Sequence, residues 1–457
     1  MSSQSKYPTS LFSSNLTFTG DNKNSGELAI AGCSGEKLVK EFGSPLFVID
    51  QADFFLRAKS WRQVLDTSFG GGQLYYAAKS FICVEVAKWL KELKLGLDVC
   101  SAGELAVALA ADFPASDIEF HGNNKSESEI TTAIKAGVGT IVIDSFDEIT
   151  RVSDIAKSLN KTQKVYLRLT PGIDAHTHEF ISTAHEDVKF GFSIASGAAN
   201  EAIKKCMEQS SLNLTGIHCH IGSQIFEVDG FKAAAQRLVA VLATFRDKYS
   251  KELAELNIGG GYGIAYTKDE SAISPDVVIP AIASVIKDEC AKAKLALPRI
   301  SIEPGRAIVG PTTTTLYLVG TTKSVKLDNG SERRYISVDG GMSENIRPAL
   351  YGAVYSAFLA NRTSTAKLIS SRVVGKHCET GDILISEINL PSDIKAGDLL
   401  AIPATGAYGR SMASNYNHIS RPAVITVING SARVILRREN EQDLLNLDVD
   451  QPPRQIS

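Results

Sequence analysis

Lys79 closes the apolar run "LYYAAK", where a strand interior would be buried and a lysine is out of place. An amine at a strand end does one of two things. It reaches water because the strand has stopped, or it is kept for attack on a carbonyl carbon. Which of these holds depends on what else arrives at the same place. "HCHIGS" carries His218 and His220 two apart, hence on one face of a strand, followed by Gly222 and Ser223. "NIGGGYG" supplies Gly259, Gly260 and Gly261, whose backbone N–H groups are free to approach an anion such as a phosphate. This run is not a Walker loop, because no Gly-Lys-Ser/Thr follows. It also falls too late in the chain for the opening unit of a dinucleotide fold. "SIEPGR" adds Glu303, Gly305 and Arg306.

These residues share a position in the pattern of elements. Eight strand-like runs alternate with helical stretches: "QLYYAAK", "LGLDVCS", "DIEFHGN", "TIVIDS", "KVYLRLTP", "LTGIHCHIG", "ELNIGGGY" and "RISIEPGR". Such alternation predicts right-handed βαβ units and a parallel sheet, and eight units have the size of a (β/α)8 TIM-type barrel. A doubly wound open sheet is the alternative. Barrel chemistry sits at the C-terminal ends of strands, and every run here ends in polar residues. Those ends hold Lys79, Asp98, His121 with Asn123, Asp144 with Ser145, Arg168, the two histidines, the glycines, and Glu303. Beyond about residue 310 the runs are strand-like with few helical intervals, and "NGSA" reads as a hairpin turn. The expected organisation is α/β plus β. An N-terminal segment, 1–45, contributes strands such as "ELAIAG" to a mostly β domain; a barrel spans 46–310; the C-terminal β domain spans 311–457.

Composition narrows the function classes. A chain of 457 residues, 44% hydrophobic and 22% charged, is long enough for two domains of ordinary globular type. A formal charge of −3 argues against an electrostatic grip on nucleic acid or an anionic membrane. No apolar run is long enough to span a bilayer, and "MSSQSKYPTSLFSSNLTFTG" lacks an apolar signal core. Seven scattered cysteines suit reduced thiols. The expectation is a cytoplasmic protein.

Two chemistries compete for the strand-end residues. The pairs His218/His220 and His176/His178 suit a metal-dependent hydrolase, but such a site needs further ligands and leaves the lysine and the glycine loop idle. A phosphorylated aldehyde cofactor uses them all. In this reading Lys79 supplies the amine that captures the aldehyde of pyridoxal 5'-phosphate, and Gly259–Gly261 with Ser223 supply donors to its phosphate. Glu303 keeps the pyridine nitrogen protonated, and His220 lies against the ring face. On this reading the chain holds no metal.

The motifs that carry these residues resemble one family. "YYAAKSF", "LDVCSAGELAVAL", "FHGNNKS", "PGIDAHTHEFISTAHEDVKFGFS", "HCHIGSQ", "NIGGGYG", "EPGR", "GKHCETGD" and "GAYGRSMASNYN" are similar, in order, to those of the diaminopimelate decarboxylases. These are pyridoxal-phosphate enzymes with an alanine-racemase-like barrel and a β domain. The resemblance implies decarboxylation of meso-2,6-diaminopimelate to L-lysine, the last step of lysine biosynthesis. It implies that Lys79 binds the cofactor, that His220 and Glu303 meet its ring, and that Ser223, Gly260, Gly261, Gly305, Arg306 and Tyr408 surround its phosphate. It further implies substrate contacts from Arg306, Arg347, Tyr351, Glu379 and Tyr408, and Cys378 as the acid that returns a proton to carbon. In the family the counterparts of Cys378 and Glu379 come from the partner subunit, so a homodimer with shared sites is implied. Asp98 is expected to support its neighbours by hydrogen bonding, and His176 and His178 are given no role. Ser80 and Phe81 depart from the residues that many relatives carry after the lysine. The alternatives are a related ornithine, arginine or carboxynorspermidine decarboxylase, the metal hydrolase, and a non-catalytic cofactor-binding regulator.

Overall fold

The computed structural model describes residues 11–19, 25–173 and 189–450. His176, His178 and most of the "DAHTHEFISTAHEDVKFGFS" block therefore lie outside the described residues. The chain forms two compact units. One comprises Phe55–Ile264 and Ser271–Val309; the other comprises the N-terminal part through Phe54, Ala265–Glu270, and the chain from Gly310 onward.

The first unit is a closed barrel of eight parallel strands: β1 (Gln73–Ala77), β2 (Gly96–Val99), β3 (Ile118–Phe120), β4 (Thr140–Ile143), β5 (Gln163–Thr170), β6 (Leu212–His218), β7 (Glu255–Asn257) and β8 (Arg299–Ile302). Each pairs with the next, and β8 pairs with β1. The open-sheet alternative is thereby set aside. The strands are short and almost wholly buried, as strands covered on both faces must be. The register puts Asp98 level with Glu119, and His218 level with both Arg168 and Asn257. The polar residues at the strand ends thus stand in layers.

The helices after β2, β3 and β4 are started by serines. Ser101, Ser126 and Ser145 each accept the N–H of the residue three further on, at Glu104, Glu129 and Glu148. Glu129 and Ser126 complete a reciprocal capping box, and the carboxylate of Glu104 accepts the Cys100 N–H at 2.7 Å. Such caps stabilise a helix start by about 1 kcal/mol each. Their consequence here is positional, because each fixes where the rim loop ends and the helix begins. Lys125 reinforces the rim between β3 and β4. Its buried ammonium donates to Gly122 O at 2.6 Å and Val142 O at 2.8 Å and pairs with Glu148 at 2.7 Å, which uses all three hydrogens.

The second unit is mostly β. Its main sheet runs in the order Ile383–Pro391, Leu368–Val374, Glu332–Val338, Thr313–Lys326, Leu46–Asp50, Ala423–Ile428, Ser431–Leu436. Residues 46–50, "LFVID", were not among the expected strands. All five are buried, and the segment lies between Thr313–Lys326 and Ala423–Ile428 inside the β unit. The hairpin at "NGSA" turns through Asn429 and Gly430 with φ of 49° and 77°, the left-handed pair that a two-residue turn needs. The N-terminal strand Gly26–Ile30 pairs with Leu16–Thr19 and with Asn361–Arg362, so the N-terminal segment is part of this unit. Leu28, Ile30, Val48, Leu316, Leu399 and Ile425 share its core. Among the described residues, no helix is long and apolar enough to cross a membrane.

Candidate active site

A cavity of about 640 Å³ opens at the C-terminal ends of the barrel strands. Lys79, Asp98, His121, Arg168, His218, His220, Ser223 and Glu303 line it, together with the loops that follow β3, β5 and β6. β1 ends at Ala77, and Lys79 sits in a single helical turn, Ala78–Ser80, where it is exposed while both neighbours are buried. The strand has thus stopped before the lysine, and its side chain lines the cavity. Ser80 and Phe81 set that turn. The Ser80 hydroxyl donates to Ala77 O at 2.8 Å, and the Tyr76 hydroxyl donates to Phe81 O at 2.7 Å.

Glu303, at the end of β8, is buried among donors. Its Oε1 lies 3.1 Å from His218 Nε2 and 3.4 Å from His121 Nε2, and it accepts from Asn257 Nδ2 at 2.9 Å. Burial alone would raise this carboxyl, but the two imidazoles outweigh it and hold Glu303 well below the usual carboxylate range. The neighbouring acids go the other way. Burial, and then the charge of Glu303, push Asp98 and Glu119 well above their ordinary values. Of the three neighbouring carboxyls, Glu303 is the one that ionises most readily. Burial pushes His121, His218 and His220 down, while the charge of Glu303 pulls each of them back up. His220 Nδ1 accepts the Gly260 N–H at 3.3 Å, which leaves its hydrogen on Nε2.

The glycine run packs backbone against backbone. A Cβ on Gly259 would lie 2.3 Å from Cys219 O, one on Gly260 2.3 Å from Glu303 O, and one on Gly261 2.3 Å from Gly222 O. Gly261 also holds φ at 105°, which favours glycine. The loops after β6, β7 and β8 consequently close on one another with no side chain between them. The Arg306 guanidinium donates to Ser223 Oγ at 2.8 Å beside them, which puts a cation and a hydroxyl next to the run, while the Gly259 and Gly260 N–H groups are already taken by Asn257 Oδ1 and His220 Nδ1. Gly305 lies against β1, since a Cβ there would be 2.8 Å from both Ala77 O and Ser80 Oγ.

These residues fit pyridoxal 5'-phosphate: an accessible amine, a cation and a hydroxyl beside a glycine run that leaves room for a phosphate, a buried carboxyl held low, and a flat imidazole. His121, His218 and Glu303 also offer ligand atoms within 4.8 Å of one another, the spacing of a metal site. A metal there would leave Lys79 and the glycine cradle unused.

The remaining expected residues lie in the β unit. Arg347 is only 6% exposed. Its guanidinium stacks 4.4 Å from the Tyr266 ring and 5.5 Å from the Tyr355 ring, and it donates to the Tyr355 hydroxyl. Its tyrosine partners are thus Tyr266 and Tyr355 rather than Tyr351, which is 64% exposed. Tyr408 takes a left-handed φ of 60° and contributes to the electrostatic surroundings of Arg347. Cys378 and Glu379 are exposed in the "GKHCETGD" loop. Asp382 holds that loop by accepting the N–H groups of His377 and Met342 at 2.8 and 2.7 Å. Glu379 lines a small groove of about 290 Å³ with Met342, Ile346, Ser414 and Tyr416. Hydrogen bonds from Gly381 N–H and the Thr380 hydroxyl hold its carboxyl below the ordinary value.

Sequence reasoning passed over Glu119, Asn257, Tyr266 and Tyr355. Asn257 gave the clearest signal, an amide two residues before the glycine run. The two tyrosines gave none, because they meet Arg347 only through the fold.

The comparisons agree with this geometry. Residues 51–310 match the family model described as "Pyridoxal-dependent decarboxylase, pyridoxal binding domain". Diaminopimelate decarboxylase of Mycobacterium tuberculosis is 50% identical over 93% of this chain and 95% of its own length. That of Bacillus subtilis is 44% identical over 94% and 97%. The crystal structure of diaminopimelate decarboxylase from M. jannaschii, in co-complex with L-lysine, superposes with a TM-score of 0.87 at 29% identity, covering 97% of this chain and 99% of that one. Similarity of this extent, covering more than nine tenths of the chain, makes it a member of the pyridoxal-dependent decarboxylases, in the diaminopimelate decarboxylase family.

Proposed function

We infer that the chain is a carboxy-lyase that uses pyridoxal 5'-phosphate to convert meso-2,6-diaminopimelate to L-lysine and carbon dioxide. The observation that carries the reading is the cavity lined by the exposed Lys79, by Glu303, whose carboxyl is held low, and by Ser223, which Arg306 bonds beside the glycine run. When bound, the cofactor supplies an electron sink for the carbanion left by loss of carbon dioxide. Lys79 is the residue that would hold it, through its side-chain amine. Glu303 faces the pyridine nitrogen, and His220 supports the ring. Gly260, Gly261, Ser223, the backbone at Gly305, Arg306 and Tyr408 hold the phosphate.

Substrate recognition falls to the β unit. Arg347, lying over the Tyr266 and Tyr355 rings, presents its fork to the carboxylate that is retained. Arg306, Tyr351 and Tyr408 add to that contact, and Glu379, kept ionised by its loop, takes the distal ammonium. Cys378 delivers the proton to carbon. Cys378 and Glu379 act in the site of a second copy of the chain, giving a homodimer with shared sites. The exposed apolar residues Leu350 (54%), Tyr351 and Val354 (56%) support such an interface. The protein works in the cytoplasm, where its seven free cysteines stay reduced.

The test is release of carbon dioxide and formation of lysine from meso-diaminopimelate, with and without added cofactor, beside ornithine and arginine. Turnover of diaminopimelate alone supports the reading. Preference for ornithine or arginine, which lack the second carboxylate, would overturn the role given to Arg347.

A further inference from the structure

Glu303 is not isolated at the end of β8. It is one corner of a buried polar cluster formed by strands distant in sequence. Asn257, the last residue of β7, is wholly buried and has every polar atom engaged. Its Oδ1 accepts the Gly259 N–H at 2.8 Å. That bond fixes the flip of the amide and turns Nδ2 toward the acids. The two Nδ2 hydrogens are then divided, one to Glu303 Oε1 at 2.9 Å and one to Glu119 Oε2 at 2.7 Å. His218 and His121 also approach Glu303 through Oε1.

We propose that Asn257 and Glu119 are positioning residues for Glu303: Asn257 commits Oε1 of that carboxylate, Glu119 holds the other amide hydrogen, and Oε2 is left to face the pyridine nitrogen. The proposal rests on the cofactor reading above and names residues that the reading does not use. The balance of charge explains why Glu119 is an acid. Asp98, Glu119 and Glu303 surround His121 Nε2 at 3.7, 3.5 and 3.4 Å, and three buried carboxylates at such separations do not all ionise. With Glu119 and Asp98 neutral, the single negative charge rests on Glu303, where a pyridinium nitrogen needs it. Tyr75, Tyr166, Lys164 and Glu255 also interact with Glu119. A glutamine at 119 keeps the neutral acceptor for Asn257, whereas an alanine removes it.

The experiment uses holoenzyme reconstituted with pyridoxal 5'-phosphate labelled with nitrogen-15 in the ring. It reads the nitrogen shift, which reports protonation of that atom directly, alongside kcat. The expected results are a pyridinium shift in the wild type and in Glu119→Gln, and a shift displaced toward neutral pyridine in Asn257→Ala and Glu119→Ala. In both alanine variants kcat is expected to fall roughly 10- to 100-fold, the size of effect typical when a supporting partner of a key group is lost. Glu119→Gln conserves volume, so it decides the matter even if an alanine variant fails to fold. A displaced nitrogen signal in Glu119→Gln would mean that the ionised form of Glu119 matters, and the proposal would fall. So would a wild-type signal in a folded Asn257→Ala. If the wild type itself retains no labelled cofactor, the failure belongs to the cofactor reading instead.

Discussion

At the scale of single residues, the account places most weight on Lys79, Arg347 and Glu344. Lys79→Ala is expected to lower turnover at least roughly 10³-fold, because no other amine takes its place in covalent catalysis; steady-state assay of purified variant and wild type checks it. Arg347→Lys tests recognition. Lysine has no planar guanidinium to lie over the Tyr266 and Tyr355 rings and no fork for a carboxylate, so KM for diaminopimelate is expected to rise roughly 10-fold or more while cofactor stays bound. An unchanged KM would remove Arg347 from the substrate site. Glu344 predicts a pH effect on stability. Burial raises its carboxyl to about 7 although it accepts the Gly341 N–H and the Ser343 hydroxyl. The unfolded chain releases this proton near the ordinary glutamate value and the folded chain only near 7. The group's favourable contribution is therefore full below the ordinary value, is lost as pH rises through about 7, and levels off above it. Glu344→Gln is expected to flatten that decline and to stabilise the protein at pH 8 by on the order of 3 kcal/mol; thermal unfolding at pH 5 and pH 8 measures both. What the sequence revealed at this scale followed from residue type. A strand-end lysine, a glycine run and a paired histidine are unusual where they stand. Asn257 and Glu119 are ordinary polar residues until β3, β7 and β8 bring them within hydrogen-bond distance.

At the scale of elements, the glycine run separates space from flexibility. Gly261→Ala puts a methyl group 2.3 Å from Gly222 O at a φ of 105°, so the loops after β6 and β7 must part. The barrel is expected to stay folded by circular dichroism while the dissociation constant for the cofactor rises roughly 10-fold or more, about 1.4 kcal/mol. Gly137→Ala is the matched control: its φ is 80°, nothing lies within 4 Å, and it caps a helix away from the cavity. That variant is expected to lose roughly 1 kcal/mol of stability and none of its cofactor affinity. Equal loss of affinity in both variants would show that Gly261 has no special place in the site. All eight barrel strands were legible because alternation of strand and helix survives in the pattern, although each expected run extended past the true strand end into the rim. "LFVID" was missed because a central strand buried on both faces shows no alternation, and it stands next to a helix, Gln51–Phe69, whose apolar residues do not keep to one stripe.

At the scale of the whole molecule, the reading requires two chains. Sedimentation is expected to show a dimer, and mixing offers a sharper test. Lys79→Ala and Cys378→Ala lie in different units, and each alone is expected to be poorly active. If sites are shared between copies, co-refolded mixed dimers contain one intact site, and activity is expected to return to about a quarter of wild type, since half of the dimers are mixed and each has one working site of two. Recovery limited to the sum of the separate variants would mean that every chain builds its own site. No sequence pattern announced this arrangement; it entered through the family resemblance, since an exposed cysteine in a loop looks like any other until a second copy is considered.

The most direct measurement concerns the bond on which the other inferences depend. Purified protein is incubated with pyridoxal 5'-phosphate, reduced with borohydride, digested, and read by mass spectrometry. The account predicts a yellow protein before reduction and one modified peptide, with the pyridoxyl group on Lys79. A protein that stays colourless, or an adduct confined to other lysines, would contradict it.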